Sequence, residues 1–267
     1  MIRIRMQFSI FLLMGTFLIL QYTGCGPSTR THQSKKELLS GVPVAAAYSG
    51  FREGQHPDRG DGAANPSDAE ILEDLQILAK NSNFPLIRLY DSNENSESVL
   101  RIIHDNNIDM KVMLGIWLDA EVSNTLPPWG YEPIPPEVLQ QNKLKNEQQV
   151  EKGIRLANTY SDIVVAVNVG NETLATFSDH TVTIDTLIAY VRKVKDAISQ
   201  PVTVADFYTA WVLKGAVLAP ELDFVAMQTY PAWVGIAIDS ALAYTEKTFL
   251  EVKKAVSDAR IVISEAG

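Results

Sequence analysis

Short apolar runs alternate with longer stretches of helical periodicity along most of the chain. The runs are rich in β-branched residues, which is typical of parallel strands buried on both faces. The predicted strands are residues 44–51, 86–90, 111–117, 163–169, 202–207, 224–229 and 261–264. Residues 65–81 and 183–199 show the periodicity of amphipathic helices. The first of these begins with a capping box, because Ser67 is followed three residues later by Glu70.

The alternation of strands and helices predicts a parallel sheet covered by helices. No glycine-rich phosphate loop follows the first strand, which argues against an open, doubly wound dinucleotide-binding sheet. We therefore predict an α/β fold, a (β/α)8 TIM barrel, over residues 41–267. Only seven strands can be counted, and the sequence stops at Gly267. The pattern favours a barrel truncated after strand 7, with a miscount of the strands as the alternative.

The N-terminal segment has a different pattern from the rest of the chain. Arg3 and Arg5 precede an apolar stretch at residues 8–20, which is short for a membrane span. A basic start, an apolar centre of this length and small residues beyond it are typical of a secretory signal. Residues 1–24 are therefore predicted to be a signal peptide.

A lipid anchor is predicted directly after this signal. Cys25, the single cysteine of the chain, follows Thr23 and Gly24, an arrangement that resembles a bacterial lipobox. The polar residues 25–40 then read as a tether. These features predict a lipoprotein attached to the membrane of a bacterial cell envelope, on the periplasmic side or at the cell surface. The alternative is a spare thiol in a signal peptide that is cut further on.

Composition narrows the class of protein. The chain has 267 residues, of which 46% are hydrophobic and 21% charged, enough for one large core. Its formal net charge of −9 argues against a nucleic-acid partner, whose phosphates require a basic surface. The four histidines lack the spacing of metal ligands, so neither a metal nor a cofactor is predicted. They are His32, His56, His104 and His180.

Two glutamates stand where apolar runs stop, Glu172 after the fourth predicted strand and Glu265 after the seventh. Carboxylates at the C-terminal ends of barrel strands are positioned for chemistry. A retaining glycosidase needs two carboxyl groups about 5–5.5 Å apart, one as nucleophile and one as acid and base. Because these two are far apart in sequence, only a fold that gathers strand ends can bring them together.

The residues around both glutamates resemble glycoside hydrolase family 17, the β-1,3-glucanases and related enzymes. Residues 169–172 (Val-Gly-Asn-Glu) and 263–267 (Ile-Ser-Glu-Ala-Gly) are similar to the paired signatures of that family. Residues 47–55 resemble the first-strand motif of its bacterial branch, and residues 87–91 (Ile-Arg-Leu-Tyr-Asp) its second-strand motif. The resemblance covers about residues 43–267 and implies a (β/α)8 glycosidase.

Roles follow from this resemblance for individual residues. It implies that Glu172 is the general acid/base and Glu265 the nucleophile. Asn171 resembles the asparagine that hydrogen-bonds the sugar 2-hydroxyl, and Tyr230 the tyrosine that orients the nucleophile. Three further residues are expected to line the site of the reacting sugar: Tyr48, Arg88 and Tyr90.

Aromatic residues suit sugars, because pyranose rings have apolar faces that stack on them. Trp117 and Trp233 are therefore predicted platforms for substrate, although either could instead fill the core. Other aromatic residues fall at strand ends or in the loops that follow: Trp129, Tyr131, Phe207, Tyr208 and Trp211. The long, proline-rich loop at residues 119–136 is expected to shape the substrate cleft.

Simpler interpretations of single residues stay open at this point. Glu172 could cap the next helix, Glu265 could pair with a cation at the barrel rim, and Arg88 could form a structural ion pair. The function predicted best is retaining hydrolysis of β-1,3-glucan without a cofactor. The alternatives are a β-glucanosyltransferase with the same chemistry and a non-catalytic glycan-binding surface lipoprotein.

Overall fold

The computed structural model describes residues 45–58, 62–81, 84–126 and 132–267. The predicted signal peptide (residues 1–24), Cys25 and the rest of the tether lie outside these residues, as do Trp129 and Tyr131. None of the helices that the structure describes is both long enough and apolar enough to cross a membrane.

Seven strands form one sheet in which every neighbouring pair is parallel and the order follows the sequence. They are β1 (Ala45–Ala47), β2 (Leu86–Arg88), β3 (Lys111–Ile116), β4 (Val164–Asn171), β5 (Val202–Phe207), β6 (Val225–Thr229) and β7 (Ile261–Ala266). Consecutive order with parallel pairing is the topology of a (β/α) barrel. The predicted fold class is confirmed, with seven barrel strands in the described part of the chain.

A helix follows each of the first six strands. The helices are α1 (Asp68–Asn81), α2 (Glu94–Asp105), α3 (Pro136–Thr159), α4 (Ile184–Ala197), α5 (Tyr208–Leu218) and α6 (Ile238–Val256). Short 3-10 turns add Ala219–Glu221 and Ala232–Val234. The predicted capping box of α1 is confirmed, because the Glu70 carboxylate accepts the Ser67 N–H at 2.8 Å and Ser67 Oγ accepts the Glu70 N–H at 3.4 Å.

Only β5 has its predicted bounds; the other strands differ from the prediction at one or both ends, and two of these differences bear on the site. The first strand was expected over residues 44–51, but only Ala45–Ala47 pair as β1, and the chain then turns, with Gly54 at φ +76°. The seventh was expected to stop at residue 264, whereas β7 runs through Glu265 to Ala266. Glu265 therefore lies within the paired strand, which fixes its backbone more firmly than a loop position would.

The inner face of the sheet carries a small apolar cluster, which includes Phe224 just before β6. Met113, Ala166, Ala205 and Ala226 form one buried layer on β3 to β6, with Val262 of β7 packed against it. Residues of β1 and β7 line the same interior cavity, together with residues of β2, β3 and β4. The sheet is thus curved so that its first and last strands face one interior, as in a nearly closed barrel.

The larger core lies between the outer face of the sheet and the helices. The predicted stripe of α4 is buried there through Leu187, Val191 and Val194, and α2 contributes Val99 and Ile103. Strand β4 is buried along all eight of its residues, as expected for a central barrel strand. The end of this strand therefore has a rigid support.

Candidate active site

Polar side chains from four strands meet at the carboxyl end of the sheet. Arg88 ends β2, Asn171 ends β4, Gln228 lies on β6 and Glu265 lies on β7. Arg88 donates to the carboxylate of Glu265 and, at 2.7 Å, to Asn171 Oδ1. Gln228 Nε2 donates to the same two acceptors, at 2.8 Å to Asn171 Oδ1 and at 2.9 Å to Glu265 Oε1. The fold thus gathers residues that are far apart in sequence into one network.

The Glu265 carboxyl is surrounded by donors. Arg88 and Gln228 both reach Oε1, and the Tyr230 hydroxyl donates to Oε2. The Glu265 side chain is only 15% exposed, and Arg88 is almost fully buried. A partly buried carboxyl with three donors, one of them a guanidinium, is in the environment that stabilises a carboxylate. This is the environment that a nucleophile requires.

Asn171 has a defined amide orientation. Its Oδ1 accepts from both Arg88 and Gln228, so the oxygen of the amide is already occupied on the barrel side. The amide nitrogen must then point the other way, where it can only donate. Asn171 therefore offers a fixed N–H donor beside Glu172.

Glu172 follows β4 in an unusual backbone conformation. Its φ of +52° lies in the left-handed region, which costs a non-glycine residue strain, and Gly170 has a φ of +77°. The register between β4 and β5 shifts at the same place. This sharp bend turns the side chain toward the strand ends. It also excludes the alternative of a helix cap, because the next helix begins only at Ile184.

The two carboxyls differ in their electrostatic setting. Burial raises the pKa of Glu172 above its usual value and the negative charge of Glu265 raises it further, while the charges of His180 and Arg88 act in the opposite direction. Within the residues that the structure describes, no donor hydrogen-bonds the Glu172 carboxyl. Glu172 is thus adapted to hold a proton, whereas the Glu265 carboxyl is held by three hydrogen-bond donors.

Tyr90 completes this end of the site. The guanidinium of Arg88 lies 4.7 Å from the centroid of the Tyr90 ring, within the range of a cation–π contact. Burial and the charge of Glu265 raise the pKa of the Tyr90 hydroxyl to about 12, so it remains a neutral donor. The structure thus places three residues that were predicted for the site, Arg88, Tyr90 and Tyr230, beside the Glu265 carboxyl.

The aromatic residues fall into different settings. Trp233 is 85% exposed and its ring centroid lies 5.5 Å from that of Tyr230, so it stands at the rim of the site. The Phe207 ring stacks on Tyr230, with 6.2 Å between the two ring centroids. Trp117 is half-buried and stacks on His180 at 4.4 Å. One face of Trp117 is therefore occupied by the imidazole rather than free for a sugar.

Two aromatic residues make their hydrogen bonds to groups other than Glu172 and Glu265. The Tyr48 hydroxyl donates to Asp74 of α1 at 3.0 Å, which directs its ring toward that helix. Trp211 is fully buried, and its Nε1 lies within hydrogen-bond distance of the carbonyls of Asp206 and Ala226. Trp211 is therefore a core residue within α5, whereas the sequence had placed it at a strand end or in the loop that follows.

The loop after β3 is pinned at its base. Asn146 of α3 is buried, donates to the Asp119 carbonyl and the Glu121 carboxylate at 2.9 Å, and accepts the Asp119 N–H at 2.7 Å. Tyr190 of α4 donates to Glu121 as well. These bonds hold the start of the loop beside Trp117, which agrees with its expected place along the cleft.

Sequence reasoning missed three residues of this site. Gln228 bridges Asn171 and Glu265, His180 contacts the Asn171 carbonyl, and Asp206 is buried at the end of β5 with electrostatic coupling to Glu172. Gln228 and Asp206 could have been found from the sequence, because each is a polar residue inside an apolar strand. His180 carried no such signal. No cluster of three or more metal-ligating side chains occurs among the described residues.

Comparison with known proteins gives a consistent result. Residues 47–267 match the BtgE/BtgC glycoside hydrolase domain. A probable glucan endo-1,3-β-glucosidase of Aspergillus clavatus is 28% identical over 215 residues, which are 76% of this chain and 27% of that protein. A putative one of Aspergillus niger is 30% identical over 67% of this chain and 24% of its own length. The chain thus spans about a quarter of these curated relatives.

Solved structures share the fold. An endo-laminarinase from Formosa superposes with a TM-score of 0.63 at 21% identity, over 85% of this chain and 66% of that one. The β-1,3-glucanosyltransferase of glycoside hydrolase family 17 from Rhizomucor miehei gives 0.59 at 22%, over 84% and 71%. The match over residues 47–267 shows that this chain belongs to the BtgE/BtgC family of glycoside hydrolase domains.

Proposed function

We propose that this chain is a retaining glycoside hydrolase of the bacterial branch of family 17, and that it cleaves β-1,3-linked glucan. Glu265 is the nucleophile and Glu172 the general acid/base. The observation that carries the proposal is the contrast between the two carboxyls. Three donors surround Glu265, whereas burial and a neighbouring negative charge raise the pKa of Glu172.

The chemistry follows from this contrast. The ionised Glu265 attacks the anomeric carbon while the glycosidic bond breaks, and the proton of Glu172 passes to the leaving oxygen. Water then attacks the anomeric carbon, gives a proton to Glu172 and displaces Glu265. Two inversions leave the β configuration unchanged. The N–H donor of Asn171 meets the sugar 2-hydroxyl, a contact that strengthens in the transition state.

The proposed substrate class is supported by the names of the curated relatives and by the aromatic residues at the rim of the site. The curated relatives are described as glucan endo-1,3-β-glucosidases, and a structural neighbour is an endo-laminarinase. Trp233 and Tyr230 offer aromatic surface at the rim, which suits the apolar faces of glucose units.

The test is hydrolysis of a linear β-1,3-glucan by the full chain, followed by proton NMR of the first anomeric product. We expect a β-configured product, and its loss in both Glu172→Gln and Glu265→Gln. The matched control is Glu97→Gln, since Glu97 is paired with Arg155 at the surface. No turnover of any glucan by a folded protein would reject the hydrolase and favour the glycan-binding alternative.

Azide distinguishes the two glutamates. In Glu172→Ala the glycosyl-enzyme still forms with activated substrates, and azide attacks it without a base, so the product is a β-glycosyl azide. In Glu265→Ala azide replaces the missing nucleophile and gives the α-glycosyl azide by a single inversion. The reverse pattern of products would exchange the two assigned roles.

A second candidate is a β-glucanosyltransferase, in which a sugar hydroxyl replaces water in the second step. The exposed Trp233 at the rim favours it, because a free aromatic surface can hold an acceptor sugar. Mass spectrometry of products from a laminari-oligosaccharide is the test. Products longer than the substrate, reduced in Trp233→Ala, would support transfer, and shorter products alone would support hydrolysis.

We also propose that Cys25 carries a lipid that anchors the protein in a bacterial cell envelope. The support is the signal-like segment before Cys25 and the polar tether after it. Expression in a bacterium with labelled fatty acid tests this proposal. Label in the full chain and its loss in Cys25→Ala are expected, and equal label in both would contradict it.

A further inference from the structure

One peptide unit at the end of β4 is held at both of its ends. The Glu172 N–H donates to the Ala205 carbonyl at 2.9 Å, and the Asn171 carbonyl accepts from His180 Nε2 at 2.7 Å. This unit joins the two residues that the proposed reaction uses, and it lies in a bend with Gly170 and Glu172 both at positive φ. Such a conformation persists only when surrounding contacts over-determine it. His180 supplies one of those two contacts.

The ring of His180 lies between two acceptors. Its Nε2 faces the Asn171 carbonyl, which can only accept, and its Nδ1 lies 2.6 Å from Asp179 Oδ1. A neutral imidazole has one N–H, so it can satisfy only one of these acceptors. Both hydrogen bonds form when the ring is an imidazolium. The stacked Trp117, with centroids 4.4 Å apart, adds a favourable face for a cation.

The charges around His180 agree with this geometry. Burial alone would lower the pKa of His180, but the hydrogen bonds to Asp179 and Asn171 and the negative charges of Asp179 and Glu172 raise it above its usual value. Asp206 at the end of β5 is a further acidic group in electrostatic contact with the ring. The groups that face His180 from its own loop, from β4 and from β5 are thus acidic.

We propose that His180 is a cationic positioning residue, which holds the Asn171 carbonyl behind Glu172 and presents a positive charge to the Glu172 carboxyl. This inference rests on the proposed role of Glu172 as acid and base. The positive charge favours the carboxylate form of Glu172, which is the form that activates water in the second step. It thereby opposes burial and Glu265, which favour the protonated form used in the first step.

The protonation of the ring can be measured without turnover. We expect 15N NMR of the full chain at pH 7.5 to show both ring nitrogens of His180 protonated, with His180→Gln assigning the signals. Asp179→Asn removes an exposed carboxylate and is expected to lower the pH at which the second proton leaves. The control is Asp105→Asn beside His104, where a similarly exposed carboxylate lies 3.0 Å from a ring that is exposed rather than largely buried. A neutral His180 ring at pH 7.5, or no change in Asp179→Asn, would overturn the proposal.

The effect on Glu172 is tested by 13C NMR titration of glutamate carboxyls, with Glu172→Gln for assignment. His180→Gln can keep a donor for the Asn171 carbonyl while it removes the charge. We expect Glu172 to titrate at higher pH in this variant, and the alkaline limb of kcat/KM to move upward with it by half a unit or more. His180→Ala removes both the charge and the contact to the Asn171 carbonyl. We expect its kcat to be lower than that of His180→Gln.

These outcomes separate two kinds of failure. A purely structural role of His180 would change thermal stability and leave the Glu172 titration and the pH limb where they are, which would overturn this inference alone. If the chain shows no hydrolysis or transfer, the proposed function fails, while both NMR titrations still decide whether His180 carries a charge that acts on Glu172.

Discussion

A single amide nitrogen links Asn171 at the end of β4 to Glu265 on β7. Gln228 Nε2 donates both to Asn171 Oδ1 and to Glu265 Oε1, and the side chain is fully buried. It thus orients both side chains, the Asn171 amide and the Glu265 carboxylate, that the proposed reaction uses. Because it acts through Asn171 and Glu265, Gln228 is a positioning residue, with an expected effect on kcat more than on substrate affinity.

We expect Gln228→Leu to lower kcat by about 10- to 100-fold with a smaller change in KM, since a buried hydrogen bond lost at the transition state is worth about 1–3 kcal/mol. Steady-state kinetics on a laminari-oligosaccharide measure this. Gln200→Leu is the matched control, because Gln200 is an equally buried glutamine whose amide donates to Ala157 away from the strand ends. An equal loss of kcat in both variants would contradict the positioning role.

Asp206 makes stability depend on pH. Burial raises the pKa of this carboxyl to about 7, although the N–H groups of Leu174 and Phe207 donate to it. The folded state therefore holds a proton that the unfolded state releases near pH 4. The stabilising effect is fully present below pH 4 and is lost as the pH rises through 7.

We expect the free energy of unfolding to fall between pH 4 and pH 8 by on the order of a few kcal/mol more in the wild type than in Asp206→Asn, which does not titrate there. Urea unfolding at a series of pH values measures the difference. Parallel curves for the two proteins would show that Asp206 is ionised throughout this range.

Residue identity could be predicted where motif and strand end coincide. Glu172, Glu265, Asn171, Arg88 and Tyr230 were found in this way, and the structure brings their strand ends together. Their hydrogen-bond partners were harder to find, because a partner is set by which side chain the neighbouring strand presents. Gln228 shows this, since its role depends on the pairing of β6 with β7 rather than on its own sequence context.

Helix ends show how local sequence acts on the elements. Thr183 precedes α4 in extended backbone, and its Oγ1 accepts the Thr186 N–H at 3.1 Å. Ala237 precedes α6 with nearly the same backbone, φ −62° and ψ 150°, but it has no side chain that could accept. The two positions are a matched pair, one with a cap and one without.

We expect Thr183→Ala to destabilise the protein by about 1 kcal/mol, and Ala237→Ser to stabilise it by about 0.5–1 kcal/mol, because a side-chain oxygen at this position satisfies a free N–H of the first turn. Thermal or urea unfolding measures both, and kcat should be unchanged by Thr183→Ala. Changes of the same sign in the two variants would contradict the capping explanation.

The presence of strands and helices could be predicted from periodicity, but the residues at which they begin and end often could not. Strand β5 was predicted with its observed bounds, since Pro201 precedes it and β-branched residues fill its first half. Strand β1 was predicted too long, because the apolar residues Tyr48 and Phe51 continue the pattern beyond Ala47, where the strand ends. Whether a residue pairs depends on the length of the neighbouring strand, here the three residues of β2.

At the scale of the whole molecule, stability should be uneven across the sheet. Strand β4 pairs with a strand on each side and is buried along its length, whereas β1 and β7 each pair on one side within the described residues. Burial follows the same order, since the residues of β7 are intermediate or exposed. The backbone of β4, which ends at the site, is therefore the most protected.

We expect native-state hydrogen exchange to be slowest for amides of β4 and β5 and fastest, among strands, for those of β1 and β7, since opening an edge exposes fewer contacts. Mass spectrometry or NMR under native conditions measures the rates. Slower exchange in β7 than in β4 would mean that the edge strands are protected by contacts outside the described residues.

The sequence by itself determined the parallel (β/α) topology, the capping box of α1 and the residues at the strand ends, because periodicity, capping and strand-end motifs are local properties of the chain. Tertiary structure alone decided which of these residues touch. The double contact of Gln228 and the burial of Asp206 join segments distant in sequence, and the contact of His180 with the Asn171 carbonyl closes a loop of nine residues. The reason is physical: a hydrogen bond or a pKa depends on distance and burial, which exist only after the strands have been brought side by side.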